Sequence, residues 1–175
     1  MSFHLPARIN PRVLANKQGH VAGQIDLAQC LRLAEHLHSL DGTVNIDLRF
    51  ARLDGKPVIQ GRVQAALELV CQRCLDALAW QDSIAVNLML IEHSSQAETL
   101  TTEYEPLLLT EDTLTLVELV EDELLLAIPD CPRHETECQP KMIPPQAVKE
   151  PARANPFAQL AELKTNGVTH GSSKK

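Results

Sequence analysis

The sequence predicts an α+β domain: an antiparallel sheet of about five strands, two main helices and a Pro-rich, partly disordered C-terminal tail. Three observations predict it. Long runs after Gly42 alternate apolar and polar residues, the mark of half-buried strands. Two other segments carry apolar residues at helical spacing. From Pro129 onward, prolines recur at 132, 140, 144, 145, 151 and 156, in a pattern that no helix interior or central strand tolerates. The domain is therefore placed at residues 1–138 and the tail at residues 139–175.

"HVAGQIDL" sets Val21, Gly23, Ile25 and Leu27 on one face, which predicts a short strand. The period then changes. Leu27, Leu31, Ala34, Leu37 and Leu40 form a stripe at helical spacing, so residues 27–39 are expected to be the first helix, capped by Asp26. Cys30 lies beside the stripe as a small core residue, with His36 and His38 on the polar side. "TVNIDLRFARL" and "PVIQGRVQAALELV" alternate cleanly and are joined by Asp54-Gly55, the signal of an antiparallel hairpin. "ALAWQDSIAVNLMLI" is a third strand, reached through residues 71–75. "EHSSQAETLTTE" reads as a loop and "YEPLLLT" as a short strand. "TLTLVELVEDELLLAIP" is the second helix. Thr115 with Glu118 forms a capping box, and Leu116, Val117, Val120, Leu124 and Ala127 line one side. Pro129 ends it. Within the tail, "NPFAQLAELK" carries the signals of a short amphipathic helix near 155–164, with Asn155 as cap and Pro156 at the first helical position.

Composition is globular, 44% hydrophobic and 22% charged, but aromatics are only 3%, so the core must be aliphatic. "MSFHLPARINPRVL" contains no long apolar run and resembles neither a signal peptide nor a membrane anchor. A cytoplasmic protein without membrane contact is expected, and its five cysteines should then be thiols or metal ligands rather than structural disulfides. The net charge of −7 is unevenly spread. Residues 1–20 hold Arg8, Arg12 and Lys17 and no acid, whereas residues 92–123 hold ten acids and no Lys or Arg. An acidic centre repels a phosphate backbone, which disfavours non-specific nucleic-acid binding by the whole domain, although the basic termini remain able to touch RNA.

Cys71-Gln72-Arg73-Cys74 sits where two strands should meet at a hairpin tip. "CPRHETEC", just after the second helix, adds Cys131, His134 and Cys138. Thiolates and imidazoles are the ligands zinc takes, and the two-residue gap of CxxC lets both sulfurs reach one ion. One structural zinc on Cys71, Cys74, Cys138 and His134, with Cys131 as the alternative fourth ligand, is the leading reading of these residues. Two others stay open: thiols that only pack, and a redox pair. Arg73 is placed to lower a thiol pKa, but a reactive CxxC ordinarily opens a helix, and these flanks read as strands. No hydrolytic or phosphate-binding motif is present in the sequence. Glu121, Asp122 and Glu123 fan around a helix rather than converging, so a solvated or partner-facing acidic surface is expected there.

"CQRC" after a strand, "YEPL", "LVEDELLLAIP", a following His and Cys, and the terminal "NPFAQLAELK" together resemble the YceD family, bacterial large ribosomal RNA subunit accumulation proteins. The resemblance runs from about residue 22 to residue 164 and covers Cys71, Cys74, Tyr104, Glu105, Pro106, Glu121, Asp122, Glu123, Pro129, Asn155, Pro156 and Phe157. His134 and Cys138 match it, and Cys131 departs from it. It implies a cytoplasmic role in synthesis, processing or accumulation of 23S ribosomal RNA, without enzymatic activity or a catalytic residue. The expected partners are ribosome-assembly or rRNA-processing proteins, with no small-molecule substrate. The expected contacts are Glu118, Glu121, Asp122 and Glu123 on the acidic helix and Asn155, Pro156, Phe157, Leu160 and Leu163 in the tail. The alternatives are a metal-dependent nuclease, a thiol oxidoreductase and a protein that binds RNA directly.

Overall fold

Two-residue periodicity over three consecutive runs produces a three-stranded meander, and the rest of the chain is arranged on it. In the computed structural model, which describes residues 5–140, β1 (Arg8–Ile9) and α1 (Pro11–Asn16) precede β2 (His20–Asp26). The meander follows as β3 (Thr43–Leu53), β4 (Lys56–Val70) and β5 (Ala77–Ile91). Then come β6 (Glu105–Leu108), β7 (Leu114–Thr115) and α2 (Leu116–Ala127). The main sheet has the order β2-β3-β4-β5-β6. Its first four strands are antiparallel, and β6 adds to β5 in parallel. β1 pairs with β7 in a separate two-stranded ribbon. The predicted linker beyond Pro140 and the predicted helix at 155–164, with Asn155, Pro156, Phe157, Leu160 and Leu163, lie outside the described residues.

Alternation decides which sheet face is buried. Val44, Ile46, Leu48 and Phe50 of β3, Ile59, Val63, Leu67 and Leu69 of β4, and Val86, Leu88 and Leu90 of β5 share one core. Leu116, Leu119, Val120 and Leu124 of α2 pack into it. Phe50 is the one aromatic among the largest fully buried side chains, as the composition requires. The β3–β4 hairpin closes at Asp54 (φ 49°) and Gly55 (φ 79°), the two positive φ angles of a type I′ turn.

Three local expectations fail. Residues 27–39 are not a helix. They form two 3-10 turns, Leu27–Gln29 and Leu33–His36, and the side chain of Asp26 makes no capping bond. Leu31 is 76% exposed, and the buried set is Leu27, Cys30, Leu33 and Leu37. The chain gives up helical continuity for tertiary bonds: the amides of Arg32 and Leu33 donate to the Glu121 carboxylate, and His38 N donates to Glu68 O. The other helix is instead α1, where Asn10 Oδ1 accepts from Val13 N at 3.0 Å and Pro11 fills the first turn. "NPRV" carried that signal, but six residues are too few for an apolar stripe. Finally, Thr115 holds the N-cap position of α2 without a side-chain capping bond, so the expected capping box is not formed. Among the described residues no helix is long and apolar enough to cross a membrane.

Candidate metal centre

The second tip of the meander joins β4 to β5 without a glycine. Cys71 N donates to Asp76 O at 2.9 Å, and Leu75 N donates to Cys71 O at 2.8 Å. Leu75 closes the turn at φ 63°, a left-handed conformation that costs an L residue roughly 1–2 kcal/mol. The sequence after α2 returns to this tip. Gln72 N donates to Pro132 O at 2.8 Å. The Arg73 guanidinium donates to the carbonyls of His134 (2.9 Å) and Thr136 (3.2 Å). These bonds carry His134 and Cys138 onto the CxxC.

The result is one cluster. One ligand atom each from Cys71, Cys74, His134 and Cys138 lie within 4.8 Å of one another. Cys71 Sγ is 3.8 Å from Cys138 Sγ, and Cys74 Sγ is 3.5 Å from His134 Nδ1. A tetrahedron with Zn–S of about 2.3 Å and Zn–N of about 2.0–2.1 Å has S···S edges of about 3.8 Å and S···N edges of about 3.5–3.6 Å. These two edges therefore already match the spacing of zinc ligands. They are far too separated for a disulfide, and all five cysteines are free thiols.

The surrounding groups fit the same chemistry. His134 Nε2 lies 3.0 Å from Ala77 O, which can only accept, so Nε2 carries the proton in the neutral ring and Nδ1 faces the sulfurs as a lone pair. Arg73 Nε donates to Cys138 Sγ at 3.1 Å, placing a cation beside a sulfur that must be anionic in a metal site. Burial raises the Cys71 thiol, but hydrogen bonds from the backbone at Cys74, Arg73 and His134 outweigh it and bring it down to about 5. Cys74 receives a lowering hydrogen bond at Asp76, yet burial and the neighbouring sulfurs of Cys138 and Cys71 push it up to about 11. The Cys138 sulfur, then the Ala77 carbonyl and Cys71, raise the His134 imidazole. Such a cluster holds the Cys71 thiolate readily and keeps Cys74 protonated, a charge distribution that a divalent ion changes by displacing protons.

Cys131 is exposed and stays out of the cluster, so His134 supplies the fourth donor. Cys30 is a fully buried core thiol, raised to about 11 by burial and then by the nearby Glu121 charge. The CxxC lies in a strand-to-strand turn rather than at a helix start.

The acidic helix divides. Glu118 and Asp122 are exposed. Glu123 is half-buried, its carboxyl raised by burial and then by Glu105 and Asp122. Glu121 departs from the expected solvated face: it is 4% exposed. Its Oε1 accepts from Arg32 N (2.8 Å) and Leu33 N (3.3 Å), and its Oε2 from Arg32 Nε (3.1 Å). Arg32 also bridges to Asp122 at 2.7 Å. The charge asymmetry is partly consumed internally, because Arg8 pairs with Glu111 and Arg12 with Glu92. The roles of Arg73, Ala77 and Arg32 as supports were not assigned from sequence. Arg73 alone carried a signal, as a cation inside the CxxC.

Comparison with known proteins decides the family. The family model described as "Large ribosomal RNA subunit accumulation protein YceD" matches residues 59–164. The chain belongs to the YceD family. A curated YceD relative, "Large ribosomal RNA subunit accumulation protein YceD" of Haemophilus influenzae, is 31% identical over 170 residues, covering 91% of this chain and 96% of the relative. No solved structure gives a significant match. The YceD match contains all four cluster residues, Cys71, Cys74, His134 and Cys138.

Proposed function

We propose that this chain is a zinc-stapled binding protein that supports accumulation of the large-subunit (23S) ribosomal RNA, acting in the cytoplasm and without catalysis. The family name supports the rRNA role. The observation that carries the non-catalytic reading is the donor set itself. Three sulfurs and one imidazole of the chain lie close together, the number of donors that a closed zinc tetrahedron takes, and such a tetrahedron leaves no position for substrate, unlike a catalytic zinc with its open site. The ion's task is then to join the β4–β5 tip to the segment after α2. Protein partners of basic character, a ribosomal protein or a processing factor, would meet the exposed Glu118 and Asp122, and the segment 155–164 would dock as a short linear element.

The test is complementation in cells lacking the protein. The wild-type chain should restore the ratio of 23S to 16S rRNA, and the double variant Cys74→Ser/Cys138→Ser should not. Wild-type chain that leaves the ratio unchanged contradicts the reading. Affinity purification with and without ribonuclease identifies the partner, and a basic protein retained after ribonuclease and released by salt is the expected outcome.

A further inference from the structure

The sheet face opposite α2 belongs to none of the features above. Its outward residues form cross-strand rows: Gln24–Asn45–Gln64–Ser83, Asp47–Arg62 and Arg49–Gln60–Asn87. Two adjoining concavities of about 540 and about 530 Å³ lie along it and share Asn45 and Gln64. Gly61 allows β3 and β4 to approach there, because a Cβ would meet Asp47 O at 1.9 Å.

The side chains of this trough are polar and already oriented. Gln24 Nε2 donates to Asn45 Oδ1 at 2.9 Å, and Gln60 Nε2 donates to Tyr104 Oη at 3.0 Å. Asp47 is engaged by His20 at 2.9 Å. The trough's arginines differ from most others among the described residues, Arg133 being likewise exposed and outside every ion pair there. Arg8, Arg12, Arg32, Arg52 and Arg73 all donate to acceptors of the chain. Arg49 and Arg62 are exposed, and no ion pair among the described residues includes either. Asp47 sits directly opposite Arg62 in register but pairs with His20 instead. Two unspent guanidinium groups thus stand on adjacent strands, flanked by Asn and Gln amides, in a chain whose net charge is −7.

We propose that this trough binds single-stranded RNA, with Arg49 and Arg62 on phosphates and Asn45, Gln60 and Gln64 on base edges. The proposal deepens the rRNA reading by giving the protein its own RNA contact. Guanidinium groups match phosphate geometry, and amides offer the paired donor and acceptor that base edges require. Unstacked RNA can present those edges to an open sheet face, which a duplex does not. The acidic remainder of the surface repels phosphate and so limits binding to the trough.

The experiment is fluorescence anisotropy with a labelled mixed-sequence 12-nucleotide RNA, comparing the full zinc-loaded chain with Arg49→Ala/Arg62→Ala. Both substitutions are on the surface, and unchanged melting temperature verifies the fold. Wild type should bind with a log–log salt slope of about −1.4, two phosphates at about 0.7 each on a single strand. The double variant should lose about ten-fold or more in affinity and nearly all of that slope. Equal binding by both proteins overturns the proposal, as does a wild type that prefers a polyglutamate peptide to the RNA. In the complementation assay, a double variant that restores 23S rRNA fully also counts against the trough while leaving the rRNA role standing. Failure of the wild type itself would instead remove that role.

Discussion

The two tips of the β-meander close in opposite ways. The first, at Asp54-Gly55, uses its own backbone: both residues hold positive φ, and Gly55 has nothing within 4 Å of where a Cβ would sit. The second, at residues 71–76, has no glycine, forces Leu75 to φ 63°, and is gripped by residues about sixty positions away. A turn that satisfies itself can be recognised from two adjacent residues. A turn satisfied by distant groups is stable only when the whole fold delivers them. The segment at residues 27–37 partly follows the second pattern: the amides of Arg32 and Leu33 are held by Glu121 of α2, while those of Cys30, Ala34 and Leu37 bond local neighbours.

If remote closure is what holds these regions, cutting it should cost more than disturbing the self-closed turn. Cys74→Ser should have the largest effect, releasing the metal and lowering the melting temperature by about 10 °C or more, because metal-binding free energy is folding free energy. Cys131→Ser should do neither, and a calorimetric scan of both variants checks the pair. Glu121→Ala comes next. It leaves two backbone amides without their acceptor and removes one of the Arg32 guanidinium's partners, at about 2–4 kcal/mol in urea unfolding. A cost near zero would mean that the 27–37 segment does not depend on α2. Gly55→Ala should cost about 1 kcal/mol, from the left-handed backbone alone, since space there is open. The smallest effect is expected at Glu123. Its carboxyl is raised in the folded state, so folding retains a proton that the unfolded chain releases, and stability falls as pH rises through that raised value. Glu123→Gln should therefore raise the melting temperature at pH 7 by about 1–2 °C, and the gain should vanish near pH 4.

The same distinction separates what could be read in the sequence from what could not. The four long strands and the Asp54-Gly55 turn rest on local periodicity and turn chemistry, and they appear where expected. The 27–39 segment had a helical stripe, but Leu31 faces solvent because a buried carboxylate from residue 121 outbids local hydrogen bonding. α1 was missed because its signal is a cap and a proline without a stripe. The cysteines and His134 were visible as ligand types at ligand spacing. Spacing alone left His134 and Cys131 both open and the family resemblance favoured His134; the physical reason, the Arg73 and Gln72 bonds that hold the His134 segment against the CxxC, could not be read from the sequence.

The most direct test of zinc closure is metal content measured with stability on the same sample. Protein purified without chelator should carry about one zinc per chain by elemental analysis and native mass spectrometry. Cys131→Ser should keep it, Cys74→Ser should lose it, and a strong chelator should lower the wild-type melting temperature to that of Cys74→Ser. Wild-type protein free of metal, with a melting temperature indifferent to chelator, would contradict the account.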